Sequence, residues 1–169
     1  MCATHDFARF RITACHSVPQ SASPKFGWSS KLTAISSNLY FGPRAEDKIA
    51  ELVAQHGAVP PPYFMFKDTD PYSICWRMGA GEDYIGFFFN WWEEEKRSLD
   101  ESQRIEYFRK WPPPPRWLAW MIEVIWDLNP EDFDDDYDYL EPYFKCTEVL
   151  GFGGENDYRR DCDEYAEIP

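Results

Sequence analysis

Arg116-Trp117-Leu118-Ala119-Trp120-Met121-Ile122-Glu123-Val124-Ile125-Trp126-Asp127-Leu128 carries a single charged interior residue, Glu123. Trp117, Trp120, Met121, Val124 and Leu128 recur at helical spacing, and Leu118, Ile122, Ile125 and Trp126 fill most of the remaining circumference. A helix apolar on nearly every side has to be surrounded by other elements, so this one belongs at the centre of a domain. Pro115 suits its first turn and Asn129-Pro130 ends it, which predicts a helix over 115–128.

Upstream, Pro112 to Pro115 remove four successive backbone donors and stop the preceding segment. That segment, 100–111, is predicted helical, with Ile105, Phe108 and Trp111 on one face and Ser98-Leu99-Asp100-Glu101 as a capping box. Over 82–97, Tyr84, Phe87, Phe88, Trp91 and Trp92 give a second aromatic helix, closed by Glu93-Glu94-Glu95-Lys96-Arg97. A further helix is predicted over 43–57: Pro43 and Glu46 suit its start, Ile49, Leu52 and Val53 form its stripe, and Gly57 stops it.

Between these lie aromatic runs with β-propensity. Residues 63–66 (Tyr-Phe-Met-Phe) and 72–77 (Tyr-Ser-Ile-Cys-Trp-Arg) are joined by the turn formers Lys67 to Pro71, the pattern of a hairpin. Phe10, Ile12 and Ala14 alternate with Arg9, Arg11 and Thr13, predicting a half-buried strand over 8–14 before a Ser/Pro loop at 17–30. The first 43 residues have one acid, four bases and seven serines, a composition shared with transit peptides, but the alternation favours an integral strand. Residues 143–150 read as a fourth strand, and from Glu155 the low apolar content predicts a loosely packed tail. The expected fold is therefore one α+β domain over residues 1–169, helix-dominated, with a small antiparallel sheet.

Charge is distributed very unevenly. The net charge of the 169-residue chain is −13. Residues 123–169 alone hold 16 acids against Lys145, Arg159 and Arg160, so this last segment carries the whole of the excess. Such a balance excludes a nucleic-acid binder that works through a basic footprint. No stretch reaches the ~20 apolar residues that a spanning helix needs. Five scattered cysteines without CxxC spacing, and three histidines confined to the first third, argue against both a disulfide framework and a zinc site. Reduced thiols fit a cytoplasmic protein.

The centre of the acidic segment is Glu131-Asp132-Phe133-Asp134-Asp135-Asp136-Tyr137-Asp138-Tyr139-Leu140-Glu141. A calcium loop beginning at Asp132 would need glycine where Tyr137 stands and glutamate where Tyr143 stands; one beginning at Asp134 meets Tyr139 and Lys145 instead. No calcium loop is present. The alternation of Asp132, Asp134, Asp136 and Asp138 would let a metal-dependent hydrolase gather carboxylates, although no histidine supports it nearby. Closely spaced carboxylates also imitate the phosphates of a nucleic acid, and interleaved tyrosines supply interface area. Elsewhere the chemical signals are thin. Gly79-Ala80-Gly81 lacks the lysine of a phosphate loop, no Gly-x-Ser-x-Gly occurs, and the PxxP at 112–115 is flanked by tryptophans that suit a packed connector.

These features predict a non-enzymatic acidic binding protein or inhibitor that occludes a basic protein partner by nucleic-acid mimicry. The partner class is a nuclease, a toxin or a nucleic-acid-binding protein, with no direct nucleic acid, no membrane and no cofactor. Its binding residues would be Asp132, Asp134, Asp135, Asp136, Tyr137, Asp138 and Tyr139. The alternatives are a metal-dependent hydrolase using the same carboxylates and a structural subunit of a larger assembly.

Overall fold

The helix predicted from Pro43 is α1, Pro43–His56, in a computed structural model that describes residues 43–129 and 137–166. Ala45 and Leu52 are buried on its inner face. Gly57, at φ +79°, turns the chain out of it and donates its N–H to the Val53 carbonyl at 2.7 Å. The described residues fall into two units, 43–113 and 114–166.

In the first unit the expected hairpin is absent, for reasons that lie in local hydrogen bonding. Pro62 opens a single helical turn, α2 (Pro62–Met65), and the Phe66 N–H closes it on the Pro62 carbonyl. Residues 74–77 form a 3₁₀ turn, Ile74–Arg77. The Asp70 carboxylate accepts from the Tyr72 N–H at 2.7 Å, and the Ser73 hydroxyl accepts from the Cys75 N–H at 3.2 Å. The Trp76 N–H goes to the Ser73 carbonyl and its indole N–H to that of Asp70. Side chains and turns thus take the donors a sheet would have used. The aromatics that resembled strand residues pack as a cluster instead: the Phe66 ring meets Trp76 at 5.4 Å and Tyr84 at 5.5 Å.

Helix α3, Gly79–Glu95, is the spine of this unit and packs on α1, α2 and the 3₁₀ turn. Gly81 is dictated by space, because a Cβ there would overlap the Cys75 carbonyl oxygen and Sγ. Tyr84, Phe88 and Trp92 form its buried edge. Helix α4, Glu101–Lys110, starts with a capping box made by Asp100 and Gln103, two positions later than the box predicted from Ser98. Its Tyr107 and Phe108 rings lie 5.1 and 5.8 Å from Trp92. Three tyrosine hydroxyls then hold the proline-rich connection after α1: Tyr107 donates to the Val59 carbonyl, Tyr84 to that of Pro60, and Tyr63 to that of Trp111. Burial raises the pKa of all three phenols, so they serve as donors and not as acids.

The second unit begins with a 3₁₀ turn, Pro115–Trp117, that runs into α5, Leu118–Trp126. Leu118, Ala119, Met121, Ile122, Val124 and Ile125 are all buried, as the all-round apolar pattern requires. Asp127 ends the helix in the left-handed conformation (φ 56°, ψ 42°). After residues outside the description, a 3₁₀ turn at Tyr137–Leu140 leads into α6, Glu141–Leu150. The strand expected over 143–150 is this helix. Tyr143, Cys146, Thr147 and Leu150 recur at i, i+3, i+4 and i+7 on its buried side, a helical period that outweighs the β-propensity of its residues. Gly151, at φ +84°, and Phe152 close it by donating to Glu148 and Thr147.

The residues after Glu155 form α7, Glu155–Ala166, which packs against the 115–117 turn and α6. Among the described residues there is no β-strand, so the α+β assignment with a small antiparallel sheet is not supported, and the described part is helix-dominated. The strand expected over 8–14 lies outside the described residues. No described helix is long and apolar enough to cross a membrane.

Candidate functional site

Asp132, Asp134, Asp135 and Asp136 lie outside the described residues. Tyr137 and Asp138 begin the 3₁₀ turn, where only their backbone is described. Tyr139 and Leu140 complete that turn. On the amino side of the acidic run stand Asp127, in its left-handed turn, and Asn129, which is buried. On its carboxyl side Leu140 is fully buried and Pro142 helps to start α6.

Tyr139 is half-buried and faces inward through its hydroxyl, which donates to Glu123 Oε1 at 3.1 Å. Glu123 is the carboxylate of the apolar helix α5. Burial pushes its pKa up to about 7, and the Tyr139 hydrogen bond pulls in the opposite direction by favouring the charged form. The sequence had marked Glu123 as the odd residue in an apolar helix, but nothing in it connected that position to Tyr139.

The cations of this region are already engaged. Lys145 pairs with Glu141 at 2.8 Å, Arg159 with Glu155 at 2.6 Å and Arg160 with Asp157 at 2.8 Å, each within its own helix. Glu141 is held below its ordinary pKa by the hydrogen bond from Lys145. Asp157 is lowered first by the Gly154 backbone N–H and then by Arg160. Arg116 is used differently. Its backbone N–H donates to Asp161 at 2.8 Å, its guanidinium Nε approaches the same carboxylate at 3.4 Å, and its charge lies over the Tyr165 ring at 4.5 Å. This clasp fastens α7 to the 115–117 turn, and no local sequence signal announces a partnership across 45 positions.

Glu148, Asp163 and Glu164 are exposed acids on the outer sides of α6 and α7. Among the described residues, no three His, Cys, Asp or Glu side chains converge as a metal would require. The first unit offers a different surface. Tyr72, Ile74 and Met78 are 65, 61 and 60 % exposed within seven residues. No family model, curated protein or solved structure matches this chain.

Proposed function

We propose that the protein is a non-enzymatic acidic binding protein whose carboxylate-and-tyrosine run occludes a basic surface on a protein partner, in the manner of a nucleic-acid mimic. Asp132, Asp134, Asp135, Asp136 and Asp138 supply the charge, Tyr137 the contact area, and Tyr139 the inward tether. The observation that carries this reading is the use of the neighbouring cations. Lys145, Arg159 and Arg160, the only bases after residue 123, each pair with an acid of their own helix. Sixteen acids against these three bases leave a large excess of negative charge for an external cation. The experiment is a charge reversal. Asp134→Lys with Asp136→Lys abolishes capture of a basic nuclease or nucleic-acid-binding protein from the native host, and undiminished capture removes the proposal.

A second reading, a structural subunit, draws support from the exposed apolar group Tyr72, Ile74 and Met78. It requires the pure chain to self-associate in sedimentation, and a monomer at all concentrations contradicts it.

A further inference from the structure

We propose that Glu123 and Tyr139 form a pH-sensitive latch: the 137–140 turn stays closed over the Glu123 carboxyl at acidic pH and opens progressively as that carboxyl gives up its proton. The latch needs no binding partner, so it stands or falls separately from the function proposed above.

Three observations meet at this point. Glu123 interrupts α5, whose other inner positions are apolar and buried. The Tyr139 hydroxyl reaches the half-buried Glu123 at 3.1 Å, and the next residue, Leu140, is fully buried, so the hydrogen bond is made beside an anchored position. That turn is also the carboxyl end of the acidic run, so its docking sets where the run rejoins the helices.

The surrounding charges do not compete for Glu123. Glu123 is the titratable group of α5 itself, and Asp127 stands in the turn just past the helix end. The 115–117 turn contributes Arg116, which is taken up by Asp161 and Tyr165. The 137–140 turn brings Tyr139 and the acidic Asp138. Helix α6 brings Tyr143 together with Glu141 and Lys145, which pair with each other, and the exposed Glu148. None of these supplies Glu123 with a cation.

The direction then follows from linkage. In the closed turn the carboxyl titrates near 7, whereas once opened to water it returns toward its ordinary 4.5. The open turn therefore binds its proton more weakly and gains population as pH rises, up to the closed-state pKa.

Amide hydrogen exchange on the full-length protein reads this directly, with rates corrected for intrinsic pH dependence. Between pH ~5.5 and ~8.5 the protection of residues 139–141 falls about 30-fold in the wild type. In Glu123→Gln, which keeps an oxygen for the Tyr139 hydroxyl, it stays level. In Tyr139→Phe the fall is larger, because the hydrogen bond that favours the charged form is gone. Equal protection at both pH values in the wild type, or the same fall in Glu123→Gln, overturns the latch. Should Glu123→Gln fail to fold, carboxyl-carbon NMR of the wild type decides: a Glu123 midpoint near neutrality supports the latch, and one near the ordinary glutamate value overturns it.

Discussion

The carboxylate of Asp161 accepts the backbone N–H of Arg116 at 2.8 Å while lying 3.4 Å from the guanidinium Nε of the same residue. One side chain thus satisfies a donor at the start of the 115–117 turn and balances a partly buried charge. The Arg116–Tyr165 stacking and the Phe144–Tyr158 ring contact at 5.3 Å join it in fastening α7.

Asp161→Ala is accordingly expected to destabilise the protein by about 1–3 kcal/mol, since it leaves a partly buried donor and a guanidinium without their acceptor. Asp161→Asn retains an oxygen for the N–H and loses less. Urea unfolding of both variants checks the order. Equal losses would mean that the backbone hydrogen bond contributes nothing.

Glu123 makes global stability pH-dependent in a definite direction. Its folded-state pKa is raised from 4.5 to about 7, so its contribution is fully present below 4.5 and is lost as pH climbs through 7. The loss is on the order of 3 kcal/mol by pH ~8. Glu123→Gln removes this slope and makes the variant the more stable protein at alkaline pH. Melting temperatures across that range provide the check, and parallel curves for the two proteins contradict it.

Gly81 provides a test of close packing. Glycine to alanine inside a helix ordinarily gains up to about 1 kcal/mol. Here the new methyl group meets the Cys75 carbonyl oxygen and Sγ, so Gly81→Ala is expected to lose about 1–3 kcal/mol instead. Denaturant unfolding distinguishes the two signs.

Tyr63 and Tyr84 are buried donors and Tyr107 a half-buried one, all with raised pKa values. They remain protonated in the folded protein as pH passes 10, and the stability they contribute is lost as the medium becomes alkaline enough to ionise them. An absorbance titration should show them ionising together with unfolding, after the exposed tyrosines. Ionisation of all ten tyrosines as one reversible group near pH 10 would contradict this.

Much of the helical layout is legible in the residues. Pro43 and Gly57 bracket α1, the aromatic period marks α3, and the encircling apolar pattern of α5 reflects its burial. The mistaken strands share one cause. Tyr63 to Phe66 and Tyr72 to Arg77 have β-propensity, but Pro62, Asp70 and Ser73 commit their backbone to turns. At Tyr143 to Leu150 the i, i+3, i+4, i+7 spacing of buried residues outweighs the β-propensity of the segment. The candidate site divides in the same way. Its charge is visible from composition alone, whereas the Glu123–Tyr139 and Arg116–Asp161 pairs depend on tertiary proximity, which no local pattern encodes.

The proposed function rests on attraction between the carboxylates following α5 and a cationic partner, and the salt dependence of affinity tests that attraction most directly. For a basic protein captured from the native host, titration calorimetry from ~50 to ~500 mM salt should show binding weakening steeply, with Asp134→Lys/Asp136→Lys inactive throughout. Affinity that stays level across the salt series, with the double variant binding as tightly as the wild type, would contradict it.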